Sequence, residues 1–297
     1  MKTRAISLVF LGVFLGLTLS SFDLSNETES INSSPHSVEI PKDSTGFDMS
    51  YCQIENTAFQ IGEELTYKLY YRLKFIWLPA AEVVFKVEET PEGQLHLSAT
   101  GHTYKTYNMF VKVRDRFESY VDKQTMLPDV SIKNIKEGKY ELYDKVEFSQ
   151  KENKVVEYRG RSVETAISST HEIDGCIHDV LSVIYYSRNI NFEGIAPGVE
   201  FPVQVFVDKK AYPLSMIYNG KVSNKRIKGK GRFDTIHLSP GTIAGDVFKE
   251  GTKMDIWVSD DQNKVPLLIK VPVSVGSIRA VLKKHKGLRY NLTSQLK

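Results

Sequence analysis

His171, Glu172, Cys176 and His178 sit close together, and side chains of these types could ligate a metal or activate a thiol. Their spacing argues against both. Helical zinc sites place two histidines four apart and cysteine sites pair their thiols a few residues apart, and neither pattern is present. Two positions apart on a helix, Cys176 and His178 would point away from each other, and an oxidised cysteine neither ligates nor attacks. No serine lies in a Gly-x-Ser-x-Gly elbow, and no phosphate-binding glycine loop appears. Carboxylates are plentiful, but no pair is singled out for glycoside hydrolysis. The expectation is a protein without metal or cofactor, and not an enzyme.

Binding chemistry is better represented. Lys221, Lys225, Arg226, Lys228, Lys230 and Arg232 follow one another without an intervening acid. On a β ribbon Arg226, Lys228, Lys230 and Arg232 share parity and line one face. One reading is an edge strand protected by charge against aggregation; the other is an anion-binding ridge for lipopolysaccharide, an acidic glycan or an envelope protein. Tyr67, Tyr71, Phe75, Trp77 and Phe85 are read as strand core, with a cavity for a lipid or glycan lined by Tyr67, Tyr71, Trp77 and Phe85 as the functional alternative. Ser259, Asp260, Asp261, Gln262 and Asn263 lie between two apolar runs. They are expected to form a hairpin loop whose side chains satisfy local backbone groups, with too few ordered oxygens for calcium.

These residues need elements to hold them. Lys2 and Arg4, an uncharged apolar run over Ala5–Leu19, and small residues Thr18 and Ser20 have the layout of a secretory signal peptide over 1–20. Residues 21–50 carry six acids against one lysine and no sustained apolar period, which predicts a flexible acidic tether. Removing both leaves a modestly basic folded part over 51–297. No nucleic-acid partner is expected, and no membrane span in the mature chain. The net charge of +3, with 41% hydrophobic and 25% charged residues, excludes wholesale disorder and a polytopic membrane protein.

From Ile61 onward the dominant period is two. Leu65, Tyr67, Leu69, Tyr71 and Leu73 alternate with polar residues. After a bend over Phe75–Pro79, Ala81, Val83, Phe85 and Val87 do the same, which predicts an antiparallel pair. Similar runs recur to Lys283, separated by turn chemistry such as Pro91-Glu92-Gly93, Glu137-Gly138, Asn219-Gly220 and Pro240-Gly241. The fold class expected is mainly β: curled antiparallel sheets forming a half-barrel or sandwich. One segment departs from the period. Ile177, Val180, Leu181, Ile184 and Tyr185 form a helical stripe, so Cys176–Asn189 is expected as one helix on the open side. Asp174 is its expected N-cap, and Arg188 sits at its C-terminal dipole. Cys52 and Cys176 are the only thiols; export favours a disulfide between them over two buried reduced cysteines. Asp43-Ser44-Thr45 and Asp234-Thr235-Ile236 match a short bacterial O-glycosylation pattern. The eukaryotic acceptor pattern at Asn26, Asn32 and Asn291 would be idle in a bacterium.

Three stretches resemble the exported bacterial proteins grouped as domain of unknown function 3108. They are Gly62-Glu63-Glu64-Leu65-Thr66-Tyr67 through Trp77-Leu78 to Ala81-Glu82; Cys176-Ile177-His178-Asp179-Val180-Leu181 through Tyr185-Tyr186-Ser187-Arg188-Asn189; and Ile256-Trp257-Val258-Ser259-Asp260-Asp261 to Pro266, followed by Val275-Gly276-Ser277-Ile278. The resemblance runs from about 52 to about 285 and implies a periplasmic or other envelope location in a Gram-negative bacterium. It also implies a half-barrel or curled sheet, and it transfers no catalytic residue. The expected function is a non-catalytic periplasmic binding or assembly factor for an envelope amphiphile or glycan. A protein that docks to envelope partners through residues 221–232 is the alternative, and a glycan hydrolase the third and least favoured reading.

Overall fold

The computed structural model describes residues 52–73, 76–107, 112–243, 251–273 and 276–296. The expected signal peptide and tether, Asn26, Asn32, Asp43–Thr45 and Phe75 lie outside them. The first half of the fold is a meander. Strands β1 (Glu64–Leu73), β2 (Ile76–Glu89), β3 (Leu95–Thr103), β4 (Arg114–Val121), β5 (Pro128–Glu137), β6 (Tyr140–Ser149), β7 (Lys154–Gly160) and β8 (Ile167–Glu172) each pair antiparallel with the next. The predicted alternation is realised on β2, where Ala81, Val83, Phe85 and Val87 are buried while Lys86 and Glu88 are exposed. β2 begins at Ile76 and pairs with β1 from Ile76 to Lys86, so the bend expected over Phe75–Pro79 is largely strand.

The second half runs through β9 (Ile177–His178), α1 (Ser182–Ser187), β10 (Glu200–Val207), β11 (Lys210–Ile227), β12 (Gly231–Pro240), β13 (Asp255–Ser259), β14 (Pro266–Pro272), β15 (Ser277–Lys286) and β16 (Gln295–Leu296). β15 pairs with β1, joining both halves into one sheet with β8 at one end of its order and β9 at the other. Along the sheet these ends are fourteen strand spacings apart, roughly 67 Å at about 4.8 Å each. Yet only residues 173–176 connect them, reaching at most about 18 Å. The sheet therefore has to curl almost shut.

Two devices fasten the seam. The Gln150 amide donates to the Ile177 carbonyl (2.8 Å) and its oxygen accepts from the Ile177 N–H (3.2 Å), pairing with β9 as a strand would. Beside it Lys133 on β5 and Arg159 on β7 both reach Asp208, in the β10–β11 turn, at 2.8 Å. Both cations also contact Asp144 on β6 (2.9 and 2.5 Å).

The helix is shorter than the stripe predicts. Ile177 and His178 lie parallel to Gln204 and Val205 instead, so their backbone groups belong to the sheet. The chain turns at Asp179, whose Oδ1 accepts from the N–H groups of Leu181 (2.6 Å) and Ser182 (3.2 Å). Asp179 thus does what was expected of Asp174. The stripe still faces inward: Ile177, Val180, Leu181 and Tyr185 are buried. Burial and helicity are separate outcomes of the same pattern, and strand pairing took the first two residues.

Asn219-Gly220, expected as a hairpin turn, lies inside β11. Gly220 (φ +94°) sits where the register with β12 slips, and a Cβ there would meet the Pro197 ring at 3.2 Å. The glycine serves a bulge rather than a turn. Among the described residues no helix is long and apolar enough to cross a membrane.

Candidate functional site

The face of β10–β14 that α1 covers is not filled. Val180, Val183 and Ile184 on the helical side oppose Val203, Leu214, Met216, Leu238, Ile256 and Val258 across an apolar cavity. Its volume is ≈ 120 Å³, or ≈ 900 Å³ of atom-free space when the solvent-open mouth is counted. Aliphatic cavities of about 150 Å³ stay dry and take up apolar molecules. The geometry follows from the local sequence. The Asp179 turn limits the helix to six residues, too few to cover five strands, and Phe192 continues the roof at one end.

Four polar side chains reach the lining, and three have partners. Ser187 Oγ donates to the Val183 carbonyl (2.7 Å) and Ser215 Oγ to Glu200 (2.6 Å). Arg188 forms a forked, buried ion pair with Glu63. The fourth, Lys264, has no ion pair or side-chain hydrogen bond among the described residues. Burial pushes its ammonium below the usual lysine range, and the nearby Arg188 charge adds to the effect.

The aromatic residues considered from the sequence lie elsewhere. Tyr67 and Phe85 are buried in the main core, edge to face at 5.6 Å, with the Tyr67 hydroxyl donating to the Pro266 carbonyl. Tyr71 packs against that core, and Trp77 lies under the guanidinium groups of Arg279 (4.3 Å) and Arg72 (5.9 Å). None of the four lines the cavity. Val203, Leu214, Met216, Leu238, Ile256 and Val258, which do, were visible only as ordinary strand residues. Their common signal is a run of apolar positions facing a helix too short to cover them.

The basic segment is a hairpin tip and not a continuous ribbon. β11 ends at Ile227, Lys228–Lys230 turn, and Arg226 sits directly opposite Arg232. The reason is the glycine pair: Gly229 (φ +79°) and Gly231 (φ +111°) take the left-handed conformations of a tight reversal. Lys225 leaves the set and lies 3.7 Å from the Trp257 ring centre, while Lys221 pairs with Asp260 (3.0 Å). Arg232 donates to the Asn224 carbonyl and side chain. Lys230 Nζ donates to the Lys283 carbonyl, which brings the tip beside Lys283, Lys284 and Lys286 at the end of β15.

The remaining candidates resolve into structure. Cys52 and Cys176 form a disulfide with Cα atoms 5.8 Å apart. His178 is buried, its value pushed down to about 3 by loss of solvent, with Nδ1 3.1 Å from Ser182 Oγ. His171 lies 2.9 Å from Ser169 Oγ and 3.7 Å from Glu157. In the 259–266 loop, Asp261 accepts from Ser259 Oγ (2.9 Å) and the Asn263 N–H (3.1 Å), as local backbone satisfaction requires. Asn263 also bonds the Tyr290 N–H and carbonyl, tying the loop to the C-terminal segment. Thr235, in the second O-glycosylation match, is fully buried and donates to the Val222 carbonyl, so the folded chain does not present it.

One titratable pair had no sequence signal. Asp115 on β4 and Glu137 on β5 are both buried and share a hydrogen bond. Burial pushes Asp115 up to about 7, and burial plus the neighbouring carboxylate pushes Glu137 up to about 9, so the pair retains a proton at neutral pH.

Comparison with a solved β-barrel-like structure agrees with this architecture. A β-barrel-like protein of the DUF1849 domain from Brucella abortus superposes with a TM-score of 0.52 at 8% identity, over 77% of this chain and 99% of that one. A candidate lipoprotein from Parabacteroides distasonis aligns at 12% identity over 79% and 99% of the chains (TM-score 0.29). A candidate exported protein with a YmcC-like fold from Bacteroides fragilis does so at 9% over 78% and 99% (TM-score 0.27). No curated protein matches. The profile of the family described as protein of unknown function DUF3108 matches residues 66–283, from the start of β1 almost to the end of β15, and this chain belongs to that family.

Proposed function

We propose that the protein is a non-catalytic binding or assembly factor of the cell envelope that handles an amphiphile. The observation that carries this reading is the apolar cavity between α1 and β10–β14. A filled core would have put those apolar side chains into contact, since protein interiors pack to the density of organic crystals. An aliphatic lining with a few polar groups at its margin suits a hydrocarbon better than a glycan, which would need many hydrogen-bond donors and acceptors. The Cys52–Cys176 disulfide supports an oxidising compartment, the periplasm being the one proposed. Native mass spectrometry of the protein taken from its own periplasm, before and after organic extraction, tests the reading. A lipid-sized adduct removed by extraction is expected; a clean apo mass, with no uptake of added alkyl chains, would overturn it.

A second reading rests on the joining of the 226–232 tip to the end of β15 by the Lys230–Lys283 contact. Arg226, Lys228 and Arg232 then share a surface with Lys284 and His285, a cationic face suited to an anionic envelope surface. Replacing Arg226, Lys228, Lys230 and Arg232 with Glu is expected to abolish salt-sensitive binding to phosphatidylglycerol vesicles. Unchanged binding would remove this reading and leave the cavity untouched.

A further inference from the structure

We infer that Lys264 receives the carboxylate of a single-chain fatty acid whose hydrocarbon lies in the cavity under α1. The inference rests on the amphiphile reading and names the ligand class for the same site. The Ser187 and Ser215 hydroxyls donate to protein acceptors and Arg188 donates to Glu63, which leaves Lys264 as the lining side chain whose donors meet no acceptor among the described residues. Its acidic neighbours are engaged as well. Asp260 pairs with Lys221, and Asp261 accepts from Ser259, Asn263 and the Ser294 N–H. The aliphatic stem of a lysine can cover apolar wall while the ammonium stays at the wet margin, so a chain and its head would both be met by one side chain.

The backbone adds a second observation. Lys264 holds φ +44°, a left-handed conformation that glycine or asparagine adopts more readily. A lysine sits there although the turn would form with less strain around glycine.

Charge decides the head group. Lys264 brings a single positive charge, which the nearby Asp261 and Asp260 carboxylates already offset in part. Arg188, the other cation of the lining, is neutralised by Glu63, so a phosphate dianion or a multiply phosphorylated lipid would remain under-compensated. A carboxylate matches one ammonium. An alkyl alcohol or ester would keep the apolar contact and lose the charged one.

The test compares dodecanoate, dodecanol, methyl dodecanoate and dodecyl phosphate by calorimetric titration of the delipidated full mature chain. The panel is repeated with Lys264→Gln and Lys264→Arg, and thermal melts confirm that each variant folds. Dodecanoate is expected to bind about tenfold or more tighter than dodecanol, as for a charge-assisted hydrogen bond at a partly dry site. Lys264→Gln should erase that preference and leave dodecanol binding unchanged, while Lys264→Arg should keep it. Equal affinities for acid, alcohol and ester, or a preference that survives Lys264→Gln, would overturn the role of Lys264 and leave the cavity reading intact. Tighter binding of the phosphate than of the acid would overturn the choice of carboxylate. If none of the four alkyl chains binds, the amphiphile reading falls, and this inference with it.

Discussion

Arg188 and Glu63, far apart in sequence, form a forked ion pair in which Nη1 meets Oε1 at 2.5 Å and Nη2 meets Oε2 at 2.8 Å, with both side chains buried. Arg188 Nε also donates to the Asn263 carbonyl, and its guanidinium lies against the rings of Phe59 and Tyr185. Three segments therefore meet at one side chain: the entry to β1, the end of α1 and the 259–266 loop. Removing one charge leaves the other buried and unpaired, which costs about 3–5 kcal/mol. Glu63→Gln and Arg188→Met are each expected to destabilise by that amount in urea unfolding. The double variant should be less destabilised than the sum of the two. Additive losses would show that the ions act independently.

The disulfide closes a long loop. Cys52 and Cys176 are separated by 124 positions, and the chain-entropy model assigns such a closure about 5 kcal/mol. The same segment is held without it, since Asn189 Oδ1 accepts from the N–H groups of Thr57 (2.8 Å) and Ala58 (3.0 Å). Replacing both cysteines with serine is expected to lower the urea midpoint while the folded far-UV spectrum persists. A midpoint unmoved by the replacement would mean that the hydrogen bonds already fix this contact.

Asp208 anchors the seam. Asp208→Asn keeps the shape of the side chain and removes the charge opposite Lys133 and Arg159, leaving Asp144 to face both and Glu157, 3.6 Å from Arg159, to face one. A loss of about 3 kcal/mol is expected, and it should be local. Hydrogen exchange should rise first at Ile177, His178 and along β7–β8, where the curled sheet meets itself. Faster exchange spread evenly over the barrel would argue against a seam.

The Asp115–Glu137 pair predicts a pH dependence with a definite sign. Both values are raised, so up to about pH 7 the native state keeps two protons, and from there to about pH 9 one, that the unfolded chain has released by about pH 4.5. The stabilisation is complete below that point and declines as pH rises toward about 9. His178 works in the opposite direction, because it stays neutral in the fold and weighs against the native state below about pH 6.5, a penalty that is gone above that point. Glu157, pushed up to about 7 by burial and the Asp144 charge, gives up its proton alongside Asp115, so above about pH 7 the remaining decline, which runs to about pH 9, belongs to Glu137. Glu137→Gln should flatten it, and an equally steep fall in that variant would place its origin elsewhere.

Strand identity was legible where one face is buried and the other wet. Leu65, Tyr67 and Leu69 on β1, and Ala81, Val83, Phe85 and Val87 on β2, are buried as their period predicts, because a two-residue period can be satisfied locally. The disulfide partners were legible because the chain has two cysteines. Three things depended on elements distant in sequence. The apolar stripe of 177–185 became part strand and part helix because β10 offered Ile177 a backbone partner. The acids of the interior pair acquired their raised values from burial between β4 and β5, which no local pattern encodes. The cavity arose from a mismatch in size between a six-residue helix and the strands beneath it, a quantity that exists only after the sheet has curled. Local sequence determines which side of a strand seeks the interior; the closure of the sheet determines whether that interior is filled.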